Sequence, residues 1–290
     1  MNDQASTLRK QRYGTMKEHT RVISFTSGKG GVGKTHSVSN IAVSLAEQGR
    51  SVLLLDADLG LANVDVVLGI PVRETLQNFF QGNRTLKEIL LEGPDGIQII
   101  PAASGVESIL SLGFEQRSQL LQAIEEIACE FDYLLIDTPA GIGSDVLFFN
   151  SASNEIVCVV APEPTSLTDA YALIKVLSRR FGERQVNILV NNAASEAEAS
   201  KTFRSLADVV NEKLFVQLRY AGWIPRDAAV RQAITARRPI VKEFPSSPAS
   251  RALRKVSETL DGDFYQSRVK GGMQLFFRQL VEAEQYGKAS

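Results

Sequence analysis

Residues 28 to 35 read Gly28-Lys29-Gly30-Gly31-Val32-Gly33-Lys34-Thr35, and this octet leaves few folds open to the chain. It meets the pattern G-x-x-x-x-G-K-S/T, a phosphate-cradling loop that works between a strand and a helix. The apolar run Val22-Ile23-Ser24-Phe25-Thr26 stands before it as a buried strand, and a helix is expected after it. Glycines let the backbone turn tightly enough to aim several N–H groups at a β-phosphate, and the positive end of the helix adds to the attraction. Lys34 is expected to reach the β- and γ-phosphates, and the Thr35 hydroxyl to complete a Mg²⁺ shell. A plain glycine-rich turn requires the glycines but not the Lys-Thr pair at this spacing. Lys29 is surplus to that chemistry, because a second lysine would crowd phosphates that one already serves. It is read as serving a different nucleotide, the alternative being a solvated lysine at a loop tip.

With 290 residues, 44% of them hydrophobic, the chain can bury one large core. Its 32 basic and 33 acidic residues leave a net charge of −1, so non-specific nucleic-acid binding by the whole surface is not expected. Cys129 and Cys158 lie far apart among apolar neighbours, as suits buried thiols in a reducing compartment. No apolar stretch approaches the roughly 18 residues a spanning helix requires, and the polar N-terminus does not read as a signal peptide. A cytoplasmic protein is expected, unless something recruits it to a surface.

Short apolar runs alternate with helical periodicity, the pattern of βαβ units. The fold class that follows is α/β, a doubly wound and mostly parallel sheet with helices on both faces. Strands are expected near 22–26, 52–56, 97–101, 133–137, 156–160, 186–191 and 214–224. Within 115–130, Leu120, Leu121, Ile124, Ile127 and Ala128 share one helical face that should pack on the sheet. The polar stretch 193–200 reads as a loop or a helix start. Three segments result: an extension at 1–21, a P-loop domain at 22–262 and a tail at 263–290. The extension holds Arg9, Lys10, Arg12, Lys17 and Arg21 against Asp3 and Glu18, with little apolar surface to order it. In the tail, Met273, Phe276, Phe277, Leu280 and Val281 recur at helical spacing after Gly271-Gly272. That amphipathic face either serves as a surface anchor or completes the core.

Two strand ends carry the carboxylates such a site needs. The first runs into Asp56-Ala57-Asp58-Leu59-Gly60-Leu61-Ala62-Asn63, at the carboxyl end of a strand, where open α/β sheets bind ligands. Asp58 is read as positioning the attacking water, Asp56 as standing behind the metal, and Asn63 as part of the nucleotide site. Either acid could instead cap the following segment. The second strand, Tyr133-Leu134-Leu135-Ile136-Asp137, is a Walker B arrangement in which Asp137 orients a water on Mg²⁺. Asn191-Asn192 and Ile224-Pro225-Arg226-Asp227 follow further strands and place amide and acid groups on the same edge.

The form KGGVGKT resembles the deviant Walker A motif of the MinD/ParA/nitrogenase-iron-protein ATPases. With DADLGLANVD and DTPAG the likeness spans residues 28–141, and adenine-side segments extend it to about residue 260. The resemblance implies bound ATP or ADP with Mg²⁺, slow hydrolysis that depends on dimerisation, and an ATP-bound homodimer. In that dimer Lys29 crosses to the partner's ATP, much as an arginine finger does, a contribution worth roughly 10³ to 10⁵ in rate. It also implies that Asn192, Pro225 and Asp227 sit by adenine, with turn capping as the alternative. His36 departs from the family, where a small polar residue is usual. Its backbone N–H can still reach the α-phosphate, and its side chain is read as packing or solvent-facing. Asp3, Gln4, Ala5, Leu8 and Arg9 match the D-Q-A-x-x-L-R element of the FlhG/FleN family of MinD-like regulators of flagellar number. In that family the element engages the SRP-type GTPase FlhF and stimulates its hydrolysis. Flagellar C-ring components or a transcriptional activator are further implied partners, and the tail implies ATP-dependent residence on the inner face of the cell membrane. A DNA-partitioning ParA-like ATPase is the alternative, with Arg237, Arg238, Arg251, Arg254, Lys255 and Arg268 as its contacts. An iron–sulfur carrier on the same fold would need cysteines spaced to bridge a cluster.

Overall fold

The computed structural model describes residues 20–58, 63–72, 74–102 and 112–262, apart from the side chains of Phe114 and Arg117. Its strands are β1 (Arg21–Ser27), β2 (Val52–Asp56), β3 (Leu91–Glu92), β4 (Gln98–Ile100), β5 (Tyr133–Ala140), β6 (Glu155–Val160), β7 (Gln185–Ala193) and β8 (Gln217–Pro225). They form one sheet in the order β3-β4-β2-β5-β1-β6-β7-β8. Every pairing is parallel except that of β3 with β4. The seven expected strands are all present, with ends moved by up to three residues. β3 was not anticipated. Two residues are too few to show a period, and this strand exists only because the turn at Gly93 folds it back onto β4.

The helices are α1 (Lys34–Glu47), α2 (Val64–Leu68), α3 (Leu76–Phe80), α4 (Phe114–Ala128), α5 (Ser144–Ala152), α6 (Pro164–Phe181), α7 (Glu196–Lys213), α8 (Ala228–Ala236), α9 (Ile240–Glu243) and α10 (Pro248–Gly262). Successive strand side chains point to opposite faces, so a continuous apolar run fills two cores at once. Ile23, Phe25, Leu54 and Leu135 pack on one face with Ile41 and Leu45 of α1 and Leu253 of α10. On the other face, Val22, Leu53, Leu134 and Ile136 meet the expected side of α4, from Leu120 to Ala128, and Phe149 of α5. Ile156, Cys158 and Val160 continue that layer under α6 and α7. Each fully buried Leu, Ile or Phe stabilises such a layer by about 1.5–3 kcal/mol. The stretch 193–200 is a helix start: Ser195 caps α7, its hydroxyl accepting from the Glu198 N–H.

The folded body begins earlier than the expected boundary. The Thr20 hydroxyl donates to the carbonyls of Ala128 and Phe131, and Arg21 opens β1. The Arg21 guanidinium donates to Glu155, to the Tyr133 hydroxyl and to the Leu260 carbonyl, while Tyr133 donates to Asp261. Both ends of the described body are thus tied together where β1 and β5 start. Asp3, Gln4, Ala5, Leu8 and Arg9, and likewise Met273, Phe276, Phe277, Leu280 and Val281, lie outside the described residues.

Candidate nucleotide-binding site

β1 is flanked by β5 and β6, and the chain leaves it first toward β2 and only later, through β6, to the other side. The crevice beyond the carboxyl ends of such strands is where doubly wound sheets bind ligands. The loop 28–33 lies there. Gly28 is pressed against α6: a Cβ at this position would fall 2.2 Å from the carbonyl carbon of Asp169. Gly33, in the left-handed region at φ 85°, caps α1 and leaves room for Asn191, whose amide donates to the Val32 carbonyl at 2.7 Å. The loop is therefore held from β7 as well as from its own strand.

Lys34 forms an ion pair with Asp137 Oδ1, and both side chains are buried. Asp137 Oδ2 is buried too, and has no hydrogen-bond partner. The register places Asp56 beside Asp137 on adjacent strands. Asp56 accepts backbone N–H groups from Asp58 at 3.2 Å, Asn63 at 3.0 Å and Val64 at 3.2 Å. Burial, and then the neighbouring Asp137, push the Asp56 carboxyl up to about 7 against the pull of those donors. Asp56 thus holds the backbone of Asp58 and, at the start of α2, of Asn63 and Val64, the capping alternative realised beside Asp137. Asp58 is half-buried at the crevice, and Asn63 enters through its backbone at the start of α2. Thr35 is half-buried in the first turn of α1. An orphaned carboxylate oxygen, a threonine hydroxyl and a second acid form an all-oxygen donor set that suits Mg²⁺.

His36 packs as expected. Burial pushes its imidazole down to about 4, and the Asn40 amide donates to the His36 carbonyl at 2.8 Å while lying 3.4 Å from Nε2. The ring is neutral at neutral pH. Asn40 also accepts the Val241 N–H, so α1 is tied to α9.

The base side is a cleft of about 1010 Å³ lined by Lys29 to Gly33, Asn191, Asn192, Pro225, Arg226, Asp227 and Arg231. Asn192 is exposed there with a left-handed φ of 61°. Asp227 sits in the cleft wall, yet both its oxygens are engaged: Oδ1 accepts from Ala229 at 2.9 Å and Oδ2 from Ala249 at 3.0 Å. It caps α8 and α10 together and so braces the cleft wall. Asn191, Arg226 and Arg231 were not singled out from sequence. Only the strand-end position of Asn191 hinted at its use.

Lys29 sits at the rim of the cleft. Its ammonium donates to Glu163 Oε2 at 2.8 Å and to Thr165 Oγ1 at 3.1 Å, at the start of α6. Neither Glu163 nor Thr165 was anticipated. In the single chain the surplus lysine is latched in cis, with side-chain exposures of 39% for Lys29 and 54% for Glu163. The cysteines offer no cluster site: Cys158 is buried within β6, where burial pushes its thiol up to about 12, and Cys129 is the C-cap of α4.

Known proteins share this arrangement. The ParA family model, described as NUBPL iron-transfer P-loop NTPase, matches residues 18–261. The antiactivator FleN of Pseudomonas aeruginosa is 44% identical over 93% of this chain and 96% of its own length. The flagellum site-determining protein YlxH of Helicobacter pylori is 32% identical over 97% of this chain and 99% of its own. Among solved structures, the MinC:MinD cell division complex of Aquifex aeolicus superposes with a TM-score of 0.69 and 31% identity, covering 84% of this chain and 96% of that one. MinD of Pyrococcus horikoshii, complexed with Mg-ADP, gives a TM-score of 0.66 and 28% identity over 84% of this chain and 96% of that one. With the family model matched from residue 18 to 261 and a relative 44% identical through 93% of the chain, the protein belongs to the ParA/MinD family of P-loop NTPases and, within it, to the FlhG/FleN group.

Proposed function

We propose that the chain is an ATP-switched regulator of flagellar number and placement, which dimerises on ATP and Mg²⁺ and resets by slow hydrolysis. The observation that carries this reading is Lys29. A cation not needed by its own phosphate site is held at the rim of the cleft by a solvent-exposed ion pair, ready for exchange. Triphosphate entering the loop would compete with Asp137 for the Lys34 ammonium, and would leave the Asp137 carboxylate, whose Oδ2 already lacks a partner, as a ligand for Mg²⁺. Thr35, with Asp137 and Asp56 behind it, would hold Mg²⁺, whose charge offsets that of the phosphates. Asp58 orients the attacking water, and Lys29 of each copy leaves Glu163 for the other copy's phosphates.

The names of the two flagellar relatives, an antiactivator and a flagellum site-determining protein, support the biological setting. The Asp3–Arg9 element engages and stimulates the GTPase FlhF, and C-ring components or a transcriptional activator are further partners. The Met273–Val281 segment attaches the dimer to the inner face of the cell membrane. One such segment gives marginal affinity, and two on a dimer add about 10²- to 10⁴-fold in avidity. The basic groups a DNA-partitioning role would use are partly engaged within the chain, since Arg254 pairs with Glu47 and Arg238 with Glu243.

Sedimentation with ATP tests the switch. Lys29→Ala is expected to bind ATP and stay monomeric, and Asp58→Ala to accumulate as dimer. A Lys29→Ala variant that dimerises like the parent would overturn the cross-interface role. Liposome co-pelleting with ADP or a non-hydrolysable ATP analogue, with and without residues 272–290, tests the membrane step.

A further inference from the structure

Large apolar side chains are exposed at two opposite edges of the sheet. Val66, Ile142 and Ile234 follow the carboxyl ends of β2, β5 and β8, on the nucleotide side, where a face-to-face dimer would cover them. Phe181 is the last residue of α6, just before the turn into β7, and Phe215 lies in the turn into β8; both are at the other edge, and nothing in the nucleotide switch uses them. Phe215 is 90% exposed, although Leu214 and Val216 on either side of it are buried. The two turns are stitched together: Gln217 donates its N–H to the Arg184 carbonyl at 2.8 Å, and Arg184 Nη1 donates to the Phe215 carbonyl at 3.4 Å. The ring is therefore presented by a pinned backbone.

The surroundings are basic in a chain whose net charge is −1. Arg179, Arg180, Arg184 and Lys213 are exposed here, as are Asp208 and Glu212, of which Glu212 is already paired with Lys213, and Glu183 in the same turn is buried. Among the described residues no ion pair engages the three arginines. The same edge holds the point where the described chain ends, because Arg21 donates to the Leu260 carbonyl and Tyr133 to Asp261 at the starts of β1 and β5. β8 lies three strands from β1, roughly 14 Å at the usual strand spacing.

We propose that this edge, centred on Phe215, seats on an anionic lipid surface. A protruding ring flanked by cations fits a fluid interface, which needs no pre-formed hole to receive it, and the guanidinium groups match lipid phosphates. The site faces away from the nucleotide, so the contact made by each copy does not itself depend on which nucleotide is bound, and an ATP-bound dimer presents it twice. It supplies a standing contact to which the tail adds. The inference rests on the membrane reading above, and the test separates the two.

Full-length protein is pelleted with vesicles of phosphatidylcholine alone or with an equal share of phosphatidylglycerol, in ADP and in an ATP analogue. Phe215→Ser is expected to lower retention on anionic vesicles about tenfold in ADP, and Arg180→Gln about fivefold, and each by at least as much in the ATP analogue. A Phe215→Trp variant should show blue-shifted emission with anionic vesicles only. Because the side chain is exposed, thermal unfolding of Phe215→Ser should match the parent. Retention of Phe215→Ser at the parent's level, while Phe276→Ser/Phe277→Ser is lost, would leave the tail as anchor and sink this contact. A parent protein that ignores anionic vesicles would overturn both.

Discussion

Two lysines of one loop are held in opposite ways, and their burial decides what each can do. Lys34 and Asp137 are paired out of water, where the attraction must offset a large desolvation cost, so an incoming phosphate can take over the ammonium without new exposure. The Lys29–Glu163 pair is exposed and is worth at most about 1 kcal/mol. A latch that weak biases the monomer without locking it. Glu163→Gln should therefore lower the concentration needed for ATP-dependent dimerisation by about two- to fivefold, measured by analytical ultracentrifugation. An unchanged midpoint would show the pair to be energetically idle. Asp56 supplies a second residue-level test. Its folded value of about 7 lies above that of an unfolded aspartate, so the native state holds the extra proton and stability falls as pH rises through 7. His36 has the opposite sign: its value of about 4 makes the native state lose stability as pH falls below about 6.5. Between pH 6.5 and 8 the Asp56 contribution falls by about 1 kcal/mol in the nucleotide-free protein, offset in part by a rise of about 0.4 kcal/mol as the unfolded-state His36 loses its proton. Urea denaturation at those two pH values should show the loss, and Asp56→Asn should abolish it.

At the level of elements, the nucleotide loop is clamped between neighbours, so its glycines are not equivalent. Gly28→Ala drives a methyl group into the α6 backbone, whereas a Cβ at Gly30 meets nothing within 4 Å. Overpacking of this kind costs about 1–3 kcal/mol. Gly28→Ala should lower the thermal midpoint and weaken ATP binding at least tenfold by displacing the loop from α6. Gly30→Ala should keep its thermal midpoint, and differential scanning calorimetry separates the two. Asp227 makes the same point for the base side. One side chain caps α8 and α10, so the cleft wall and the helix that ends at Gly262 share a bracket. Asn40 adds a tie from α1 to α9. The helix after the phosphate loop, the cleft wall and α10 are thus linked through elements held by side-chain-to-backbone hydrogen bonds.

For the whole molecule, the exposed apolar side chains fall largely into two groups, one on the nucleotide side, the face of the proposed dimer, and one at the opposite edge, the face of the proposed lipid contact. Ile142, 51% exposed in the loop after β5, belongs to the first. Ile142→Glu should weaken the ATP-bound dimer at least about tenfold by carrying a charge into the interface, with ATP affinity of the monomer preserved. Light scattering after size-exclusion chromatography in ATP would show it, and an undiminished dimer would move the interface elsewhere. The sheet itself was legible in the chain, because runs such as Val52 to Leu55 are buried on both faces and only a parallel, two-sided sheet accommodates them. The strand-end positions of the loop, Asp56, Asp58 and Asp137 were legible for the same reason, since they follow such runs directly. β3 was not, since its two residues owe their conformation to β4 alone. Nor were the Glu163 latch on Lys29, the Asn191 hold on Val32, the second helix end capped by Asp227 or the protruding Phe215. Local pattern determined which segments became strands and where the phosphate chemistry sits. Tertiary structure alone decided these pairings, because their energies depend on distances between groups that chain order leaves far apart.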